Sequence, residues 1–124
     1  MTDRAQTPGE EQFWALAEPL LRQPNVTRST MMGFACLRLD GDFFATCDHR
    51  TGNLVVKLNE QRVSALIDTR SAEAFAPNGR RFREWASIPL TRRRRWGSLL
   101  DEALELAAIR KSTSSAPARR RRPR

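Results

Sequence analysis

The sequence predicts an α+β fold, in which a small antiparallel sheet packs with three helices and a basic tail follows. Two observations lead to this prediction. Residues 31–47 place apolar stretches on both sides of Asp40-Gly41, a dipeptide that favours the positive φ angles of a tight hairpin turn. The last amphipathic segment repeats apolar side chains at helical spacing, namely at Trp96, Leu99, Leu100, Ala103, Leu104 and Ala107.

The first predicted helix begins at a capping box. Thr7 is placed to be the N-cap, Pro8 takes the first helical position, and Glu10 stands at the third. Pro19 is expected to kink or shorten this helix, because it lacks an N–H and clashes with the preceding turn. The turn-forming residues 23–25 end the element.

A meander of three strands is predicted next. Pairing about the Asp40-Gly41 turn is expected to set Leu37 opposite Phe44 and Arg38 opposite Phe43. The same register would place Cys36 and Cys47 on one face of the sheet as diagonal neighbours. A second turn over residues 48–53 then leads to a short strand over residues 54–58.

The second half of the chain alternates helix, strand and helix. Asn59 is expected to cap a helix over 60–73, and residues 82–88 should form a further extended segment. Thr91 is the predicted cap of the last helix, with a later start near Trp96 as the alternative. The order of elements is typical of an α+β protein.

The segment from residue 112 onward holds mainly Ser, Thr, Ala, Pro and Arg and is predicted to be disordered. The expected organisation is therefore a flexible start at residues 1–6, one folded domain at 7–110 and a disordered Arg-rich tail at 111–124.

Positive charge is concentrated in two segments. The formal net charge is +8, from 22 basic and 14 acidic side chains. Residues 111–124 carry six basic side chains and no acid, residues 80–95 carry seven arginines and one acid, and the rest of the chain has a balance of −4. A GC-rich coding sequence would explain the 20 arginines against 2 lysines, but it does not explain their clustering.

Clustered arginines favour binding to phosphates, because the planar guanidinium contacts a phosphate in a bidentate manner. The sequence therefore predicts a nucleic-acid partner bound mainly through phosphate. Its candidate contacts are Arg80, Arg81, Arg83, Arg92, Arg93, Arg94 and Arg95 in the folded domain, with Arg119, Arg120, Arg121, Arg122 and Arg124 in the tail. The alternatives are a solvated basic patch, or a patch paired with Glu84, Glu102 and Glu105.

Base stacking is a weaker prediction than phosphate contact. The aromatic side chains that could stack on bases are Phe43, Phe44, Phe82, Trp85 and Trp96. Most of them are expected to lie in the core, and Trp85, beside Arg83, is the expected exposed exception.

Other classes of protein are disfavoured by the sequence. No apolar run approaches the roughly 20 residues of a membrane span, and the first residues have no apolar segment typical of a signal peptide, so a cytoplasmic location is expected.

Cys36 and Cys47 cannot form a disulfide framework or a four-ligand zinc site. With Asp48 and His49 nearby, a metal site or a redox pair is a minor alternative, and no cofactor is predicted. No catalytic motif is visible, so the protein is not expected to be an enzyme.

Several segments together resemble a known family. They are Met32-Gly33-Phe34, the run from Leu39 to Ala45, residues 54–58, the run from Gly79 to Trp85, and the helix that contains Trp96. This arrangement resembles the N-terminal domain of TfoX/Sxy-type proteins and the related MmcQ/YjbR group, over about residues 10–108.

The resemblance implies a small α+β domain with wing-like hairpins beside helices, and a DNA-binding or competence-regulator-like role. Three features depart from the TfoX pattern. An aromatic–glycine pair is expected in that pattern near Met32-Gly33. Asp42 follows the hairpin glycine where lysine is commoner, and the chain ends in a basic tail where TfoX proteins can carry a second helical domain.

Two further functions stay open at this point. One is a protein–protein interaction module whose tail serves solubility or generic polyanion binding. The other is a small-molecule or redox module built around Cys36 and Cys47.

Overall fold

The computed structural model describes residues 7–31, 33–76 and 79–120, with the side chains of Met31 and of residues 112–120 left aside. These residues form a six-stranded antiparallel sheet and three helices, which confirms the predicted α+β class. The strands lie in the order β1-β2-β3-β4-β6-β5. They are β1 (Val26–Met31), β2 (Phe34–Leu39), β3 (Asp42–Asp48), β4 (Asn53–Lys57), β5 (Glu73–Ala74) and β6 (Trp85–Ile88). The helices are α1 (Pro8–Leu21), α2 (Glu60–Asp68) and α3 (Trp96–Arg120), and a 3-10 segment (Leu90–Arg95) precedes α3.

The capping box at the start of α1 is confirmed. The Glu10 amide donates to Thr7 Oγ1 at 3.1 Å, and the Thr7 amide donates to Glu10 Oε1 at 2.9 Å. Pro19 lies inside the helix, which ends two residues later at Leu21. The helix therefore accommodates the proline in its last turn.

Strand β1 is an element that the sequence prediction lacks. Its residues are mostly polar and exposed, and Val26 is the one that joins the core. Gly33, at φ 84°, interrupts the strand expected to begin at residue 31 and turns the chain back. Ser29 thereby pairs with Cys36, and β1 becomes an edge of the sheet.

The β2–β3 hairpin confirms the predicted turn and corrects the predicted register. Asp40 and Gly41 have φ angles of 51° and 89°, and Arg38 pairs with Phe43 as expected. Leu37, however, pairs with Ala45 and not with Phe44, because a β-bulge inserts one extra residue into β3. The bulge lets two successive residues, Phe44 and Ala45, both enter the core.

The bulge also separates the two cysteines. Cys36 pairs with Thr46, so the next residue, Cys47, points to the opposite face of the sheet. The prediction that both cysteines share a face is therefore wrong. The predicted register was wrong because it did not include the extra residue that the β-bulge inserts into β3.

Helix α2 is shorter than predicted. It is capped at its start by the side chain of Asn59, which accepts from the Arg62 amide at 2.9 Å, but it ends at Asp68 and not at residue 73. Arg70 then adopts a left-handed conformation with φ 63°. This turn directs the chain back, and Glu73 and Ala74 pair with β6.

Helix α3 begins at Trp96, which is the later of the two predicted starts. Thr91 and the four arginines 92–95 lie in the 3-10 segment, where Arg92 departs from helical geometry (φ −108°, ψ 24°). The junction is held by Trp96, which is fully buried and whose Nε1 donates to the Pro89 carbonyl at 3.3 Å.

At its other end, α3 continues to Arg120 and so passes through residues 111–120. That stretch belongs to the segment for which disorder is predicted. The last side chain described there is Lys111, whose Nζ lies 3.0 Å from a carboxylate oxygen of Asp42. The expectations for residues 1–6 and 121–124 lie outside the described residues.

One core holds all three helices against one face of the sheet. Its largest fully buried side chains include Trp96, Phe13, Phe44, Leu37, Leu54 and Ile88. The helical residues of this core belong to α1, α2 and α3 alike, so the segments that carry the arginines are anchored to a common scaffold. In the described part of the chain, no helix combines the length and apolar character that crossing a membrane requires.

Candidate functional site

The first arginine cluster lies in the loop that enters β6. Arg80, Arg81 and Arg83 are all exposed. The loop is held by Phe82, whose amide donates to the Phe75 carbonyl at 2.9 Å and whose ring packs edge-on against the Phe75 ring at 5.7 Å. The three arginines, called the loop cluster below, therefore project from an ordered turn.

The second cluster follows β6. Arg92, Arg93, Arg94 and Arg95 are exposed in the 3-10 segment and form what is called the junction cluster below. Arg95 Nη1 donates to Ser71 Oγ at 3.3 Å, and Arg93 Nη1 reaches the Leu90 carbonyl at 3.5 Å. Both contacts are with neutral oxygens, so they leave the charge of the cluster uncompensated.

The two clusters lie at opposite ends of β6 and of α2. Arg83 pairs with Glu60, the first residue of α2, at 3.3 Å, whereas Arg95 contacts Ser71, just beyond the other end of that helix. Nine helical residues span about 13 Å. The seven candidate arginines therefore form two sites, with α2 and β6 setting the distance between them, and Arg93 of the junction cluster also borders the start of α1 at Pro8 and Glu11.

Two of the acidic residues expected to neutralise these clusters, Glu84 and Glu102, pair with other arginines. Glu102 receives Arg62 in a bidentate contact at 2.7 and 3.1 Å, and Glu84 pairs with Arg110 at 3.4 Å. Among the seven candidate arginines, the described part of the chain gives only Arg83 a carboxylate partner. The alternative of a patch paired with Glu84, Glu102 and Glu105 does not describe this arrangement, whereas the alternative of a solvated basic patch is compatible with it.

The structure describes the tail arginines only in part. Arg119 and Arg120 belong to the backbone of α3, and their side chains are not described. Arg121, Arg122 and Arg124 lie outside the described residues. The tail prediction therefore stays a prediction from charge alone.

The five candidate aromatic side chains fall into two groups. Trp96 and Phe44 are buried in the core, whereas Phe43 and Trp85 are half-buried and Phe82 is 42% exposed. Phe43 and Trp85 line a common cleft of about 380 Å³ beside α3. In the sheet register Phe43 pairs with Arg38 and Trp85 pairs with Lys57, so both rings belong to the face of the sheet away from the helices.

Two cationic residues of this cleft were missed by sequence reasoning. Lys57 stands opposite Trp85 in the β4–β6 pairing, and Arg110 reaches the cleft from α3. Neither belongs to a run of basic residues, so charge clustering gives no signal for them. Lys57 is recognised only once the pairing of β4 with β6 is known, because that pairing places it beside Trp85.

The geometry does not support the two alternatives built on the cysteines, a metal site and a redox pair. Burial raises the pKa of Cys47 to about 12, with nearby Glu10 and Asp48 adding to the effect. Burial also raises the pKa of Cys36, against the opposing influence of Arg38. Two protonated thiols on opposite faces form neither a redox pair nor two ligands of one metal ion. Within the described residues, no group of three or more His, Cys, Asp or Glu side chains converges on a metal position.

His49 and Asp48 are occupied by local contacts. The His49 ring packs edge-on against Phe34 at 4.8 Å. Asp48 Oδ1 accepts from the Arg50 amide at 3.0 Å and from Arg50 Nε at 3.2 Å, and this hydrogen bonding raises the pKa of Arg50. These contacts stabilise the turn between β3 and β4.

Comparisons with known proteins add no relative: no family model, curated protein or solved structure matches the chain. The function is therefore inferred from the two arginine clusters.

Proposed function

We propose that the protein is a non-enzymatic nucleic-acid-binding domain that contacts phosphates through its clustered arginines. The observation that carries the proposal is that six exposed arginines, in two clusters, have no carboxylate partner among the described residues. Charge of this kind attracts a polyanion, and binding releases the counterions of the nucleic acid. The TfoX/YjbR-like resemblance supports the same role.

The ordered scaffold under each cluster adds to this support. The loop cluster is held by the Phe75–Phe82 contact, and the junction cluster is held by the buried Trp96. Arginines on an ordered backbone lose less conformational entropy on binding than arginines on a flexible chain. The folded domain should therefore contribute affinity of its own beyond that of the tail.

The proposal is tested by fluorescence-anisotropy titration of short labelled nucleic acids over a salt series. The loop variant Arg80→Gln with Arg81→Gln and the junction variant Arg93→Gln with Arg94→Gln are compared with the wild type. Each is expected to weaken binding. Each should also reduce the slope of log K against log salt by about 0.9 for every duplex phosphate that the variant no longer neutralises.

The matched control replaces Arg22 and Arg28 by Gln, which removes the same amount of charge. Arg22 ends α1 and Arg28 lies on β1, at the other edge of the sheet from the clusters. This variant should bind nearly as tightly as the wild type. Equal reductions in affinity for all three variants would show that net charge alone drives binding, and no binding at low salt would overturn the proposal.

A further inference from the structure

One end of the sheet face that points away from the helices carries a row of alternating cations and aromatic rings. Successive residues of a strand point to opposite faces, and each member of this row is next to a core residue of its own strand. The members, called the mixed row below, are Arg38 on β2, Phe43 on β3, Lys57 on β4 and Trp85 on β6. Because these four strands are neighbours in the sheet, cation and ring alternate across its width. None of the described helices packs on this face, since all three share the core on the other side.

Strand pairing and one side-chain contact place the members of the row beside one another. Arg38 pairs with Phe43, and its guanidinium lies over the Phe43 ring at 4.2 Å. Lys57 pairs with Trp85, and two strand spacings separate the backbones of Phe43 and Trp85 by about 10 Å. All four side chains are half-buried, so each keeps some exposed surface. The row therefore offers two flat surfaces, the Arg38–Phe43 stack and the Trp85 indole, on either side of Lys57.

The two cations of the row are not neutralised by the residues that the structure describes. Neither Arg38 nor Lys57 has an ion pair there, and Arg38 Nε is buried without a hydrogen-bond partner among those residues. The loop cluster enters β6 directly before Trp85, so its three arginines add positive charge at the same end of the sheet.

Two acidic residues at this end of the sheet are paired on the other face. Asp42 pairs with Lys111 at 3.0 Å and Glu84 pairs with Arg110 at 3.4 Å, and both partners belong to α3. Asp40, in the hairpin turn, is exposed and opposes the positive charge in part. The balance of charge at this end still favours an anionic occupant.

The opposite end of the same face provides a contrast. Phe34, on β2, also lies under an arginine, Arg50, at 5.3 Å. Arg50, however, pairs with Asp48 at 3.2 Å. The charge is compensated there, so the mixed row is the end of the face that suits an anion.

Polar side chains between the two ends of this face are already hydrogen-bonded. Thr46 Oγ1 donates to the Ala35 carbonyl at 2.6 Å, and Asn53 Nδ2 donates to Ser87 Oγ at 2.9 Å. These groups are therefore not free to read the edges of bases or the hydroxyl of a ribose. Ring faces and charge remain for recognition, and both act on every base alike.

We propose that the mixed row binds single-stranded nucleic acid, with bases stacked on the Arg38–Phe43 stack and on Trp85 and a phosphate at Lys57. The inference rests on the proposed function and adds to it a preference for single strands with little selectivity for sequence. Aromatic rings and guanidinium planes on a sheet stack readily on unpaired bases. In a duplex the faces of the bases are covered by their neighbours, so only phosphates reach Lys57 and the loop cluster.

The first arm of the test uses the wild-type protein at full length. Fluorescence anisotropy measures binding of a short oligothymidylate, of an abasic strand of the same length and charge, and of a duplex of that length. The oligothymidylate is expected to bind roughly tenfold more tightly than the abasic strand, because the abasic strand has phosphates but no bases to stack. An oligouridylate should bind within about threefold of the oligothymidylate, because the polar side chains of this face are occupied.

The second arm assigns the preference to the mixed row. Phe43→Leu and Trp85→Leu should each remove most of the preference for the oligothymidylate and leave binding of the abasic strand unchanged. Lys57→Gln should instead weaken binding of both strands alike and reduce the salt slope by about 0.7, the value for one single-strand phosphate. The matched control is Phe34→Leu, which removes a half-buried ring under an arginine from the other end of the face and should leave the preference unchanged. Circular dichroism checks that each variant is folded.

The outcomes separate this inference from the proposed function. Equal affinity for the abasic strand and the oligothymidylate would overturn the inference and leave phosphate binding by the arginine clusters intact. An unchanged preference in folded Phe43→Leu and Trp85→Leu proteins would also overturn it, and so would a more than tenfold weaker binding of the oligouridylate. Failure of every strand and of the duplex to bind would overturn the proposed function, and the inference with it.

Discussion

Gly9 lies where the first turn of α1 meets the turn between β3 and β4. It is buried, and a Cβ atom built on it would collide with the backbone of Gly52, closest to the carbonyl oxygen. Backbone atoms cannot rotate away as a side chain can, so the close approach requires a residue without a side chain. The contact fixes α1 against one end of the sheet.

Gly9→Ala is therefore expected to lower the free energy of unfolding by about 1–3 kcal/mol, the usual cost of overpacking. Urea denaturation followed by circular dichroism measures the change. The control is Gly97→Ala, in the first turn of α3, where the added Cβ would lie 3.6 Å from Leu16 Cδ2, an ordinary contact. This control should leave stability unchanged or raise it by up to about 1 kcal/mol, and equal destabilisation of both variants would contradict the steric explanation.

Helix α2 ends in a left-handed turn. Arg70 is a non-glycine residue at φ 63°, directly after the C-cap Thr69. The Ser71 amide donates to the Leu66 carbonyl at 2.8 Å across this turn, which is the pattern of a left-handed helix end. The turn lets residues 73 and 74 form β5, so it sets the edge of the sheet beside the arginine clusters.

Replacing Arg70 with Gly should stabilise the protein by up to about 1 kcal/mol, because an L-residue in the left-handed region costs about 1–2 kcal/mol and glycine does not incur this cost. The matched change is Arg22→Gly at the C-cap of α1, where φ is −79°. That variant should be destabilised by roughly 0.5–1 kcal/mol through the greater flexibility of its unfolded chain. Thermal unfolding of both variants shows whether stability rises or falls. A less stable Arg70→Gly protein would show that contacts of the Arg70 side chain contribute more to stability than the strain of its left-handed backbone costs.

In the molecule as a whole, the remaining residues around the arginine clusters carry a net negative charge. Outside residues 80–95 and 111–124 the charge balance is −4, and the acids there include the partners of Arg62 and Arg50. An anionic ligand is thus attracted to one edge of the domain and repelled by much of the rest. For the proposed nucleic-acid partner, we expect this asymmetry to orient the polyanion before close contacts form.

Replacing the five tail arginines 119–122 and 124 with Gln lowers the formal net charge from +8 to +3. We expect weaker binding of every polyanion in parallel, with a salt slope reduced by up to about 0.7 for each single-strand phosphate that the tail no longer neutralises. Anisotropy titrations of this variant and of the wild type over a salt series measure the change, and an unchanged salt slope would contradict a contribution of the tail to binding.

The local features could be predicted from neighbouring residues. The capping box at Thr7, the turn at Asp40-Gly41 and the buried stripe that begins at Trp96 depend on side chains within a few positions of one another. The concentration of arginine in residues 80–95 is likewise a property of the chain alone. These features were sufficient for the α+β class and for naming the candidate phosphate contacts.

Tertiary packing decided the relations between distant residues. The bulge at Phe44 sets Cys36 and Cys47 on opposite faces, and the β4–β6 pairing brings Lys57 to Trp85. It also decided that Glu102 and Glu84 pair with Arg62 and Arg110, which leaves the clusters without those acids. Strand register is chosen by the burial of the whole apolar face, and a shift of one residue reverses every side chain. No pattern of neighbouring residues records that choice, because its energy is summed over contacts between segments far apart in the sequence.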